Sequence, residues 1–165
     1  PSALDDNLPR DSRLQQRAMA EGLDVEADVV IGGRYTAVVR QGDTMYVSGQ
    51  IPRVGEQVAI TGQVGEDGPA TLEHAQRAAR LCALRALVLM RQALGSLDRV
   101  EQLLRITVYV QCSASFTQHS EVADGASDLL HEVLGSSGTH TRTSVGVYQL
   151  PKNATVEMDL IAAVR

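Results

Sequence analysis

Aromatic side chains are scarce in this 165-residue chain, which has no Trp, one Phe and four Tyr. Its core must be built from Leu, Val, Ile and Ala, so each Tyr carries individual weight. Cysteine is nearly as rare. Cys82 in a helical pattern and Cys112 at the end of a strand pattern match neither a disulfide framework nor a zinc spacing, and read as reduced thiols. Long apolar runs are missing as well. The longest candidate, residues 81–90, is broken by Arg85 and falls short of the ~18 apolar residues of a membrane span. The charged start, with Asp5, Asp6, Arg10 and Asp11, lacks a signal-peptide core, so the expected location is cytoplasmic. Basic runs are absent, and a net charge of -5 with pI near 5.3 argues against nucleic acid, whose binding rests on Lys and Arg. His74, His119, His131 and His140 have no metal-ligand spacing, so no metal is expected and surface or capping roles are the default.

What the chain does have is a length suited to one domain with a core that needs no disulfide or metal. Residues 11–20 fit a short helix capped by Asp11 or Ser12 and stopped near Gly22, with Leu14 and Ala18 on one side. Residues 35–40 and 44–50 read as a hairpin around Gln41-Gly42-Asp43, with Met45, Val47 and Gly49 alternating against Tyr46, Ser48 and Gln50. Residues 57–60 add a short strand. The longest element spans residues 70–94, with Leu72, Ala75, Ala79, Cys82, Ala86, Leu89 and Ala93 on one face. Glu73, Arg77, Arg80, Arg85 and Arg91 are expected on its polar face, and Gly95 as its C-terminal cap. A strand follows at residues 103–111, then a helix within residues 116–134 whose inward stripe is Val122, Ala126, Leu129, Leu130 and Val133. Gly62, Gly65 and Gly68 read as a turn, since Glu66 and Asp67 would repel phosphate. This order fits an α+β sheet with its helices on one face.

The end of the chain carries the chemistry. Residues 141–149 and 155–164 are rich in β-branched and small side chains, and Leu150-Pro151-Lys152-Asn153 between them predicts a β-hairpin. Arg142 then shares a face with Ser144 and Gly146, which are too small to cover it. The plain alternative is that Arg142 and Glu157 pair across the hairpin, worth about 0.2–1 kcal/mol.

Tyr35, the run Gly42-Asp43-Thr44-Met45-Tyr46-Val47-Ser48-Gly49-Gln50-Ile51-Pro52, the run Arg142-Thr143-Ser144-Val145-Gly146-Val147-Tyr148-Gln149-Leu150-Pro151-Lys152, and Val156-Glu157-Met158-Asp159 together resemble the RidA (YjgF/YER057c/UK114) family of imine deaminases. The resemblance covers residues 33–165 and leaves residues 1–32 as an arm with a short helix. It implies a chorismate-mutase-like subunit, a sheet with two main helices on one face, assembled as a homotrimer with sites between subunits. It further implies that Arg142 holds a substrate carboxylate, that Glu157 positions the hydrolytic water, and that Tyr35, Ser48 and Gly49 line or border the pocket. Ser144 stands where characterised deaminases carry cysteine, and Gly33-Arg34-Tyr35 replaces Gly-Pro-Tyr. Together with the altered 121–140 region, these departures indicate a divergent subgroup.

Hydrolysis of a 2-imino acid to a 2-keto acid and ammonia needs a carboxylate grip, a water and a proton path, and no cofactor. Arg142 supplies the first by bidentate bonding. Glu157 supplies acid-base help worth about 10² to 10⁴ in rate. Ser48 and Ser144 have no recognisable histidine and acid partner, which argues against a serine nucleophile. A non-catalytic sensor of a small carboxylate metabolite is the alternative use of the same cleft. An RNase or translation inhibitor, a description given to some relatives, is disfavoured by the acidic balance.

Overall fold

The computed structural model describes residues 7–165, so Asp5 and Asp6 of the charged start lie outside the described residues. Helix α1 spans Arg10–Ala20 and is followed by strands β1 (Val38–Gln41), β2 (Thr44–Gln50), β3 (Arg53–Val54) and β4 (Gln57–Val58). Helix α2 (Leu72–Leu94), β5 (Val100–Gln111), α3 (His119–Leu134), β6 (Thr141–Val147) and β7 (Val156–Val164) complete the order. Five strands form one sheet in the order β1-β2-β7-β5-β6, and β3 pairs β4 separately. The sheet is antiparallel except for β5 with β6, which run parallel because α3 carries the chain back across one face.

This order overturns the expected C-terminal hairpin. β6 does not pair with β7, because β5 lies between them. The reason is burial: β7 alternates buried and half-buried residues along its whole length and takes partners on both edges, whereas β6 is half-buried or exposed throughout and sits at the sheet margin.

α2 begins with a reciprocal cap. Thr71 Oγ1 accepts from the His74 backbone N–H at 3.1 Å, and His74 Nδ1 accepts from the Thr71 N–H at 3.3 Å, giving His74 the capping role. Gly95 ends the helix with φ of 85°, as its position predicted. Arg85 departs from expectation. It is 5% exposed, and every residue from Leu81 to Met90 is buried, so α2 has no polar face at that height. The sheet lies on one side of it, and residues 25–30 lie on the other, with Gln92 donating to the Val25 and Ala27 carbonyls. α3 lies close enough that a Cβ on Gly125 would meet the Gln76 carbonyl.

α1 starts after Pro9 without a side-chain cap, so neither Asp11 nor Ser12 caps it; Asp11 Oδ1 instead accepts from the Leu97 N–H at 2.9 Å. Leu14 and Ala18 are fully buried in the same core as α2 and α3. Glu132 of α3 receives Arg17 of α1 at 3.0 Å and Arg80 of α2 at 2.9 Å, tying three helices at one carboxylate. No helix among the described residues is long and apolar enough to cross a membrane.

Candidate functional site

A bulge in β2 builds the pocket. Val47 pairs with Leu160 but Gln50 pairs with Met158, so β2 fits one extra residue into that interval. Gln50 is thereby turned from the face of Tyr46 and Ser48 into the helix layer, where it is 4% exposed and its Oε1 accepts from Arg85 Nε at 3.3 Å. The simple alternation expected of this strand fails at that point. Gly49 comes to lie against Glu157, with no room for a side chain: a Cβ there would stand 2.5 Å from Glu157 Oε2.

Glu157, Gly49 and Tyr35 line one pocket of about 140 Å³ at the end of the sheet, together with Arg53, Arg85 and Lys152. Burial, and secondarily the Asp159 carboxylate two residues along the same face, raises the Glu157 carboxyl above the usual range. Asp159 is raised by burial too, and its Oδ2 accepts from the Tyr109 hydroxyl at 3.4 Å. A carboxyl held readier to take a proton is suited to acid-base work. Lys152 adopts φ of 58° and ψ of 25°, and Asn153 φ of 60°, a left-handed pair that turns the chain sharply beside the pocket.

Ser48 lies outside this pocket. It lines the neighbouring groove with Tyr46 and Asp159, and its Oγ is buried without a hydrogen-bond partner among the described residues.

Arg142 and Ser144 lie elsewhere. Arg142 is registered with Ile106 and Ser144 with Val108, which are buried toward the helices, whereas Glu157 is registered with Tyr109 on the open face. Within one chain, Arg142 and Glu157 therefore project from opposite faces with β5 between them, and the cross-strand ion pair is excluded. Arg142 instead contacts α3. Its Nη1 donates to Asp124 Oδ1 at 2.8 Å and Ser127 Oγ at 3.0 Å, and its Nη2 to Ser120 Oγ at 2.8 Å. His140 supports this grip: its Nδ1 donates to the Gly138 carbonyl at 2.6 Å, leaving Nε2 to accept from Ser127 at 2.8 Å. Burial keeps His140 below its ordinary pKa, which favours this neutral form. Gly146 leaves space for His119 and Cys112, whose Sγ and Nε2 are 3.5 Å apart. Both cysteines are free, and no group of metal ligands occurs among the described residues.

The sequence reading missed Arg85, Arg53 and Lys152 as pocket residues. The signal for Arg85 was a lone cation inside an otherwise apolar ten-residue stretch. No signal marked Arg53.

The fold and pocket define a small α+β protein whose ligand-sized cavity opens at the end of one sheet. A sequence model described as "YjgF/chorismate_mutase-like, putative endoribonuclease" matches residues 15–164, and the chain belongs to that YjgF/Rid family. Protein TCP17 of Trypanosoma cruzi is 42% identical over 141 residues, covering 85% of this chain and 87% of the relative. The crystal structure of Atu1372 from Agrobacterium tumefaciens, a protein of unknown function, superposes with TM-score 0.82 at 34% identity over 94% of this chain and 95% of that one. TdcF of E. coli, solved with bound serine, gives TM-score 0.57 at 25% identity over 86% and 95% of the two chains.

Proposed function

We propose that this protein is a cofactor-free hydrolase that deaminates 2-imino acids to 2-keto acids and ammonia, working as a homotrimer with sites between subunits. The observation that carries the reading is Glu157, a carboxyl of raised pKa set in a pocket and pressed against a glycine. Arg142 of a neighbouring subunit grips the substrate carboxylate, because within one chain it faces away from Glu157. The bound serine of TdcF, a small carboxylate ligand, supports that ligand class. Val39, Tyr46 and Val145 stand exposed on the sheet face opposite the helices and suit subunit packing.

In the reaction, Glu157 takes a proton from water as the water oxygen bonds to C2 of the imine, and the imine nitrogen takes a proton from solvent. The resulting carbinolamine collapses: Glu157 returns its proton to the nitrogen, the C–N bond breaks and ammonia leaves, and the C2 hydroxyl gives its proton to solvent as it becomes the keto oxygen. Imines are electrophilic enough for such a site to suffice. The family description includes an endoribonuclease, but a net charge of -5 favours a small ligand over RNA.

The test generates 2-imino acids in situ with an amino-acid oxidase and traps the residual imine over time. Faster imine decay with this protein, lost in Arg142→Ala, supports the deaminase. Saturable 2-keto-acid binding with unchanged decay would make the protein a sensor instead.

A further inference from the structure

Arg53 and Arg85 are buried cations with no ion-pair partner among the described residues. Arg85 is 5% exposed and Arg53 9% exposed, and both line the Glu157 pocket. The groups that receive their N–H bonds are all neutral. Arg85 donates from Nη2 to the Val30 carbonyl at 2.8 Å, from Nε to Gln50 Oε1 at 3.3 Å and from Nη1 to the Arg53 carbonyl at 3.5 Å. Arg53 donates from Nη1 to the Glu56 carbonyl at 3.1 Å. The ion pairs of the described residues use Arg17, Arg77, Arg80, Arg91 and Arg142, and neither of these two.

Glu157 is the pocket's own carboxylate, yet it does not neutralise them. No ion pair among the described residues joins it to either arginine, and where a guanidinium partner would lower its pKa, burial and Asp159 raise it. Arg85 is correspondingly weakened as a cation, first by burial and also by the charge of Arg53, a cost that an incoming anion would offset. A guanidinium offers five N–H donors in a planar fork, so each arginine keeps unused donors for such a group. Lys152, exposed on its left-handed turn, adds a third positive charge to the lining.

We propose that this pocket recognises a second carboxylate on the ligand, held by Arg53 and Arg85 with Lys152 at the rim, so that the preferred ligands are dicarboxylates. Under the deaminase reading, on which the turnover part of this inference rests, the substrates are the 2-imino acids of acidic amino acids. The 2-carboxylate then goes to the neighbouring Arg142, and the side-chain carboxylate to Arg53 and Arg85. Glu157 sits between the two grips, beside C2.

Calorimetric titration of the full chain with 2-oxoglutarate and with 2-oxobutanoate tests this without turnover. The dicarboxylate should bind at least about tenfold more tightly, since a charge-assisted contact to a buried guanidinium is added. Arg53→Gln should narrow that ratio to near unity, and Lys152→Gln, at an exposed position, should narrow it in the same direction. Equal affinity of the wild-type protein for the two keto acids would overturn the proposal, as would a ratio unmoved in both variants. The imine assay separates the two readings. Tight 2-oxoglutarate binding without any imine turnover sinks the deaminase and leaves the dicarboxylate site, whereas equal turnover of neutral and acidic imines with no binding preference does the reverse.

Discussion

Arg142→Ala and Glu157→Gln each remove one half of the proposed site, and subunits carrying them should rescue one another when mixed. The two side chains leave opposite faces of the sheet, so a working site takes Arg142 from one chain and Glu157 from another. After equal amounts of the two variants are dissociated and reassembled at random, half of the arginine positions and, independently, half of the glutamate positions are intact. About one quarter of sites then recover both groups, so the mixture should regain about one quarter of wild-type imine hydrolysis from two inactive parents. A second mixture checks the arithmetic: wild type reassembled with the double variant should fall to about one quarter of full activity, where independent sites within each chain would leave about one half. Native mass spectrometry confirms that mixed assemblies have formed. Mixed assemblies that regain nothing would refute the shared site, as would a monomeric wild-type protein with full activity.

Because Glu157 is raised by burial and Asp159, the folded state keeps its proton at pH values where the unfolded chain has lost it; this contribution to stability is present in acid and is lost as pH rises through the folded value. Glu157→Gln should therefore raise the melting temperature at pH 7 and flatten its pH dependence while lowering turnover by about 10²-fold, and a lower melting temperature at pH 7 would contradict the assignment. Gly49→Ala should displace the Glu157 carboxylate and reduce kcat at least tenfold or so, while Arg142-dependent binding of 2-oxobutanoate is weakened less; calorimetry beside the imine assay separates the two effects. Leu14→Ala should destabilise the fold by about 2–5 kcal/mol in urea unfolding, and a loss below about 1 kcal/mol would mean that α1 is peripheral.

Residue pattern made much of the architecture legible. α2 and α3 follow from apolar spacing, the β1–β2 hairpin from its Gln41-Gly42-Asp43 turn, and the C-terminal end of α2 from Gly95. Strand partners are another matter. Residues 141–147 and 156–164 are neighbours in sequence with a turn between them, yet a strand from forty residues earlier separates them, because β7 can bury one face and satisfy both edges only at the centre of the sheet. Arg142 and Glu157 were marked through family motifs, but their separation depended on that topology. The bulge at Ser48-Gly49 is equally hidden, and it reverses Gln50. Arg85 was visible as an oddity in an apolar run, but its surroundings depend on residues 25–30 folding over α2, a contact that helical periodicity does not encode.

The ties of α1 have a bearing on synthesis. Arg10 donates to the Leu97 and Val100 carbonyls, and Arg13 to the Val133 carbonyl, across 87, 90 and 120 residues of sequence. The stretch after α1 supplies Val30, Ile31 and Gly32 to the pocket wall. A ribosome therefore releases this wall early, while the carbonyls that hold α1 follow much later, from Leu97 to Val133. A chain interrupted before Val133 would carry Tyr35, Gly49 and both buried arginines, and still lack the last tie of α1 and the Lys152 and Glu157 side of the pocket.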